Sequence, residues 1–211
     1  MEKKSKNKAV KSGIFIAVFV LSIMIIGVSV SYAYFSANVV GSSDTGENKA
    51  AKLNVTTTLT SGGAINATSL AIIDGSEYLT KAEHFEFTVT NNTDSTVRAK
   101  YAINLTDITI SKNILSKYFK WAIVVNSDTS NAITGDFQDA SLATEGTSDT
   151  TTVTIDSKVL VSEEDALELD IGATDTLTFY LWLENDDNVD QLYLTNGNMT
   201  AKLSLDAFPV R

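Results

Sequence analysis

From Lys52 onward, apolar and polar residues alternate with a period of two, and that alternation limits this chain to a fold built from half-buried strands. Between Lys52 and Thr60, Leu53, Val55, Thr57 and Leu59 share one face. His84 to Thr90 aligns Phe85, Phe87 and Val89, and Arg98 to Thr106 aligns Tyr101, Ile103 and Leu105. Trp121, Ile123 and Val125 follow in Lys120 to Asn126, then Leu177, Phe179, Leu181 and Leu183 in Thr176 to Leu183. Thr200 to Phe208 offers Ala201, Leu203, Leu205 and Ala207, and Thr151 to Ile155 reads as a shorter strand. Threonine fills the opposite faces, as suits pleated surface half in water. The spacing predicts an all-β fold, an antiparallel β-sandwich of jelly-roll type.

The intervals carry turn chemistry. The polar stretch Asn91 to Thr96 reads as a hairpin loop, and Ser127 to Thr150, rich in Ser, Thr, Asp and Gly, as a long surface excursion. Ser162, followed by Glu163, Glu164 and Asp165, resembles a capped helix start, and Ile114 to Phe119 has room for a turn or two of helix. Tyr180 and Trp182 fall on the face opposite Leu177, Phe179 and Leu181. A strand apolar on both faces needs a cover, either an internal segment or a neighbouring subunit.

The N-terminus follows other rules. Lys3, Lys4, Lys6, Lys8 and Lys11 precede a stretch without charge that lasts until Asp44, and Ile14 to Val30 within it is almost wholly apolar. With Ser31-Tyr32-Ala33 behind it, this is the order of a secretory signal helix, cut between Ala33 and Tyr34. Two alternatives stand beside cleavage. An uncleaved anchor would span the bilayer with its lysines inside. A prepilin would be cut after Gly13, but the fifth residue of its helix is then Val18 rather than the glutamate usual there. The expected divisions are 1–33 signal peptide or anchor, 34–48 N-terminal segment and 49–211 sandwich. The expected location is secreted, at the cell surface or in extracellular matrix.

Five of the 16 basic and one of the 26 acidic residues precede the cut, leaving 11 basic and 25 acidic residues, a net of −14. Such a surface repels phosphate backbones and speaks against nucleic acid as a partner. With no cysteine the exported domain has no disulfides, so its stability must come from core burial or from neighbours in an assembly.

Catalytic signals are sparse. The single histidine, His84, alternates outward on its strand, and no HExxH pair or phosphate-cradling glycine loop occurs; Gly62-Gly63 reads as a turn. No cofactor is expected, calcium excepted. Glu184, Asp186, Asp187 and Asp190 lie in the acidic run after the strand at Thr176 to Leu183, a candidate calcium loop or a solvated hairpin tip.

The junction Val30-Ser31-Tyr32-Ala33-Tyr34-Phe35-Ser36 resembles the signal class cut by the dedicated signal peptidase of Gram-positive biofilm-matrix proteins. Phe85-Glu86-Phe87-Thr88-Val89-Thr90-Asn91 and Leu177-Thr178-Phe179-Tyr180-Leu181-Trp182-Leu183 are similar to the TasA/camelysin family of surface and fibre-forming proteins. The resemblance implies a jelly roll whose fibres form by donor-strand exchange, the mature N-terminus of one subunit completing the sheet of the next. The candidate donor is Tyr34, Phe35, Ser36, Ala37, Asn38, Val39 and Val40. One member is described as a casein-cleaving metalloprotease, but no metal-ligand motif here carries that activity over. The leading expectation is a structural, self-assembling fibre subunit. A membrane-anchored adhesin-like binding module comes second and a secreted protease a distant third.

Overall fold

The alternating runs form strands because each buries its apolar face against another sheet. In the computed structural model the described residues are 38–39, 52–59, 64–68, 70–138 and 146–210. The signal segment therefore lies outside them, as does Gly62-Gly63. In chain order the strands are β1 Asn38–Val39, β2 Val55–Leu59, β3 Ile65–Ala67, β4 Ile72–Ile73, β5 Glu83–Asn91, β6 Ala99–Ser111 and β7 Phe119–Val125. They continue with β8 Asp128–Asp136, β9 Thr152–Val161, β10 Leu167–Leu169, β11 Thr174–Glu184 and β12 Met199–Pro209. One short helix, α1 Tyr78–Lys81, follows a 3-10 turn at Gly75–Glu77.

Two sheets result. In the first, β12 and β6 form the centre, with β3 and β1 on the outer edge of β12 and with β9 and β10 beyond β6. The second runs β2-β5-β11-β7-β8, and β4 adds to the end of β11. Among the described residues, only the β1–β12 and β4–β11 pairings are parallel. The inner faces meet in one core. Ile103, Leu105, Leu203 and Leu205 supply the first sheet's half, and Phe87, Ile123, Phe179 and Leu181 the second's. The chain is thus an all-β sandwich of mostly antiparallel strands.

β6 outlasts the run expected for it because the alternation changes phase. Its large buried residues are Tyr101, Ile103 and Leu105, then Ile108 and Ile110. Asp107 between them has φ 50°, and the pairing with β12 slips there, Thr109 facing Thr200 and Thr106 facing Lys202. This is a bulge, and aspartate is among the residues that enter the left-handed region most readily.

Several expectations about the intervals are corrected. Asn91 to Thr96 is not a hairpin loop: β5 lies in the second sheet and β6 in the first, so the stretch crosses between sheets. Both edges of β5 are already taken, by β2 and β11. The crossing is tied to the chain ahead of β2, where Asn92 N–H donates to Asn54 O at 2.9 Å and Thr96 N–H to Lys52 O at 2.9 Å.

Within Ser127 to Thr150, Asp128–Asp136 is strand, not surface loop. Asn126 and Ser127 have φ 50° and 63°, the two left-handed positions of a tight hairpin turn that folds β8 back on β7. At Ser162 the capping bond forms, Asp165 N–H donating to its hydroxyl at 3.2 Å, but no helix follows; the chain turns into β10. Leu167 to Leu169 pairs with Ala99 to Tyr101, and those ladder bonds replace helical ones. Between Ile114 and Phe119 the helical structure amounts to the end of a 3-10 turn at Lys112–Ile114. The strand expected at Thr151 to Ile155 extends to Val161.

Candidate functional site

The cover over β11 is internal. Tyr78 stacks on Trp182 with ring centroids 4.9 Å apart and planes 16° apart, and meets Tyr180 edge-on at 5.3 Å. Ile73, Ala82 and Ala122 complete this small second core on the outer face of the second sheet. His84 is exposed on β5, its ring centroid 5.8 Å from that of Tyr180, on the outward face expected of it.

The acidic run is not a hairpin tip, because β11 and β12 belong to different sheets. Glu184 holds the aromatic cover: its carboxylate accepts the Trp182 indole N–H at 2.7 Å and the Gly75 backbone N–H at 3.1 Å. A Cβ at Gly75 would stand 2.8 Å from Glu184 Oε1, so a larger residue there would displace the carboxylate from this approach. Glu184→Ala should strand the indole donor and cost about 1–3 kcal/mol, with Glu184→Gln recovering much of it. Urea unfolding midpoints measure this, and an unchanged midpoint for the alanine variant would show that the carboxylate does not secure the cover.

Asp186 accepts from Asn188 N–H at 3.1 Å and from the Tyr118 hydroxyl at 3.3 Å. The Asn188 backbone and side-chain donors hold its carboxyl below the usual range. Asp187 accepts from Asn185 Nδ2 and Asp190 from Leu192 N–H. Among the described residues, no group of three or more His, Cys, Asp or Glu side chains that could hold a metal ion occurs.

Beside this loop lies a groove of about 690 Å³, lined by Lys117, Tyr118, Val189, Asp190, Leu192 and Tyr193 among others. Leu192 is 73% exposed, the highest value among the large hydrophobic residues that the structure describes. The sequence gives no hint of it, since the lining comes from connections whose approach depends on the whole topology.

Of the junction and the candidate donor segment, only Asn38 and Val39 are described. They form β1 and run parallel to β12, Asn38 opposite Asp206 and Val39 opposite Ala207. On the same edge β3 pairs with Met199, Thr200 and Ala201. Between those two covers, Lys202 to Leu205 have a strand partner only in β6, on the other side, among the described residues. The alternation at Thr200 to Phe208 identifies the strand, but no local signal reveals which strands flank it.

No protein-family model matches this chain, and none of the curated proteins matches it.

Proposed function

We propose that the chain is an exported structural subunit of extracellular fibres or a surface coat, of jelly-roll type, that assembles by donor-strand exchange. The order β3-β12-β6-β9 over β5-β11-β7-β8 supports the jelly roll, because the chain crosses repeatedly between the two sheets, as from β5 to β6, β6 to β7, β8 to β9 and β11 to β12. The observation that carries the assembly reading is β1, two residues of the candidate donor segment laid on the outer edge of β12. A strand that adds to an edge within one chain can add to the same edge of an identical neighbour, as domain swapping does.

The secretory order of the first 33 residues supplies the route, and the resemblance to the TasA/camelysin family supplies the assembly mode. The membrane-anchored binding module remains the second reading, favoured by the groove beside Leu192. N-terminal mass analysis of protein recovered from cells, with electron microscopy of the same sample, separates the two. A chain beginning at Tyr34 and found in filaments supports the fibre subunit. An intact lysine-bearing terminus in the membrane fraction, without filaments, supports the anchored module and ends the fibre reading.

A further inference from the structure

On the outer face of the second sheet, the registers align side chains that lie far apart in the sequence. Thr56 of β2 stands opposite Thr90 of β5, and Thr90 opposite Thr174 of β11. Two residues along, Thr58, Thr88 and Thr176 repeat the row. Directly paired residues project to the same side of a sheet, so three strands present two rows of hydroxyls about 7 Å apart, with about 5 Å between strands. In the first row Thr90 and Thr174 share a hydrogen bond at 2.8 Å. In the second row the hydroxyls have no hydrogen-bond partner among the described residues.

The same face turns aromatic at its other end. Thr178 and Tyr180 follow Thr176 on β11, with Glu86 and His84 opposite them on β5. Tyr180 is half-buried, held edge-on by Tyr78 at 5.3 Å and flanked by His84 at 5.8 Å between ring centroids. From Thr174 to Tyr180 the track runs about 20 Å.

We propose that this track binds an extended, uncharged polysaccharide chain, laid along β5 and β11 with a sugar ring against Tyr180 and sugar hydroxyls on the threonines. The inference goes beyond assembly: it uses no residue of the donor segment and holds for a fibre subunit and an anchored module alike.

The chemistry of the face selects this partner. A threonine hydroxyl both donates and accepts, as a sugar hydroxyl does, so the two sets pair in either direction. The negative π face of tyrosine takes the C–H side of a sugar ring. Charge speaks against the competitors. The chain carries 26 acidic and 16 basic residues, yet on this track Glu86 is the one carboxylate, and lysine and arginine are absent from it. Nucleic acid and anionic lipid need cations there, and an added peptide strand needs a sheet edge rather than a face. The first sheet has a single comparable row, Thr154, Thr109 and Thr200, but the Lys202–Asp107 ion pair follows it in place of aromatic rings.

The test is electrophoresis of protein recovered from cells through gels that hold either a soluble, uncharged β-linked glucan or an anionic polyuronate. The glucan should retard the protein. The triple variant Thr58→Val, Thr88→Val and Thr176→Val should weaken that binding about tenfold or more, since valine keeps the shape and strand preference but removes the hydroxyls. Tyr180→Leu should weaken it as well. The matching triple on the first sheet, Thr109→Val, Thr154→Val and Thr200→Val, should stay within about twofold. Absence of retardation by the glucan, stronger retardation by the polyuronate, or equal effects from the two triples would overturn the proposal. Urea unfolding midpoints show that each variant is folded, and filaments play no part in the readout, so failure of the fibre reading leaves this result unchanged.

Discussion

A chain that begins at Gly41 folds and forms no filaments, whereas the chain that begins at Tyr34 forms them: this is the largest functional effect expected of any change to the protein. The truncation removes all seven residues of the candidate donor. It leaves both central strands of the first sheet, and β6 still pairs with β12 from Ala99 to Ile110. Ile103, Leu105, Leu203 and Leu205 of the core all remain in the shorter chain. Its unfolding midpoint should therefore stay close to that of the longer chain. The loss is one of assembly, because an edge strand supplies the backbone hydrogen bonds that join two copies. Electron microscopy and sedimentation of the two chains side by side measure it. Filaments from the shorter chain would show that subunits join elsewhere.

Phe179→Ala should have the largest effect on stability, about 3–5 kcal/mol, by opening a cavity where the sheets meet. Phe179 is fully buried at the middle of β11, opposite Phe85 on one side and Ile123 on the other. Trp121 lies against it at 6.4 Å between ring centroids. Neighbours on paired strands cannot close such a gap without breaking their ladders, so little of the cost is relieved by collapse. A natively folded domain of this size has a total stability of roughly 5–15 kcal/mol, so the variant should be on the verge of unfolding at 25 °C. Guanidinium denaturation followed by tryptophan fluorescence measures the shift; a loss below about 1 kcal/mol would mean that the inter-sheet core is far more plastic than its packing implies.

The strands with a clean alternation were legible in the sequence because a sandwich buries one face of each. Leu177, Phe179, Leu181 and Leu183 are each at most 2% exposed, as their spacing requires. β8 was not legible. It is an edge strand whose residues are exposed or half-buried, so Thr129, Ser130, Asn131 and Thr134 read as loop. The two-residue turn at Asn126 and Ser127 was the available signal, but it lacks the glycine that usually marks such a turn. Sheet membership was hidden as well, since the polar crossing from Asn91 to Thr96 has the composition of a hairpin. Of the candidate site, the donor segment stood out for its lack of charge. The edge of β12 that carries β1 did not, because the flanks of a strand are set by segments distant in the chain.

The position of β12 bears on when the fold can form. It is the last of the described strands, yet it lies at the centre of the first sheet, joined to β6 from one end to the other and to β3 and β1 on its far side. Until its residues are present, that sheet has no middle and the second sheet has only part of a partner to bury against. Nearly all of the pairing joins segments far apart in the chain, the β7–β8 hairpin being an exception, and such topologies fold slowly. A chain built this way stays extended while its C-terminus is still to come. Under the export proposed above, that delay keeps the polypeptide fit to be threaded through a narrow channel before it takes its final shape.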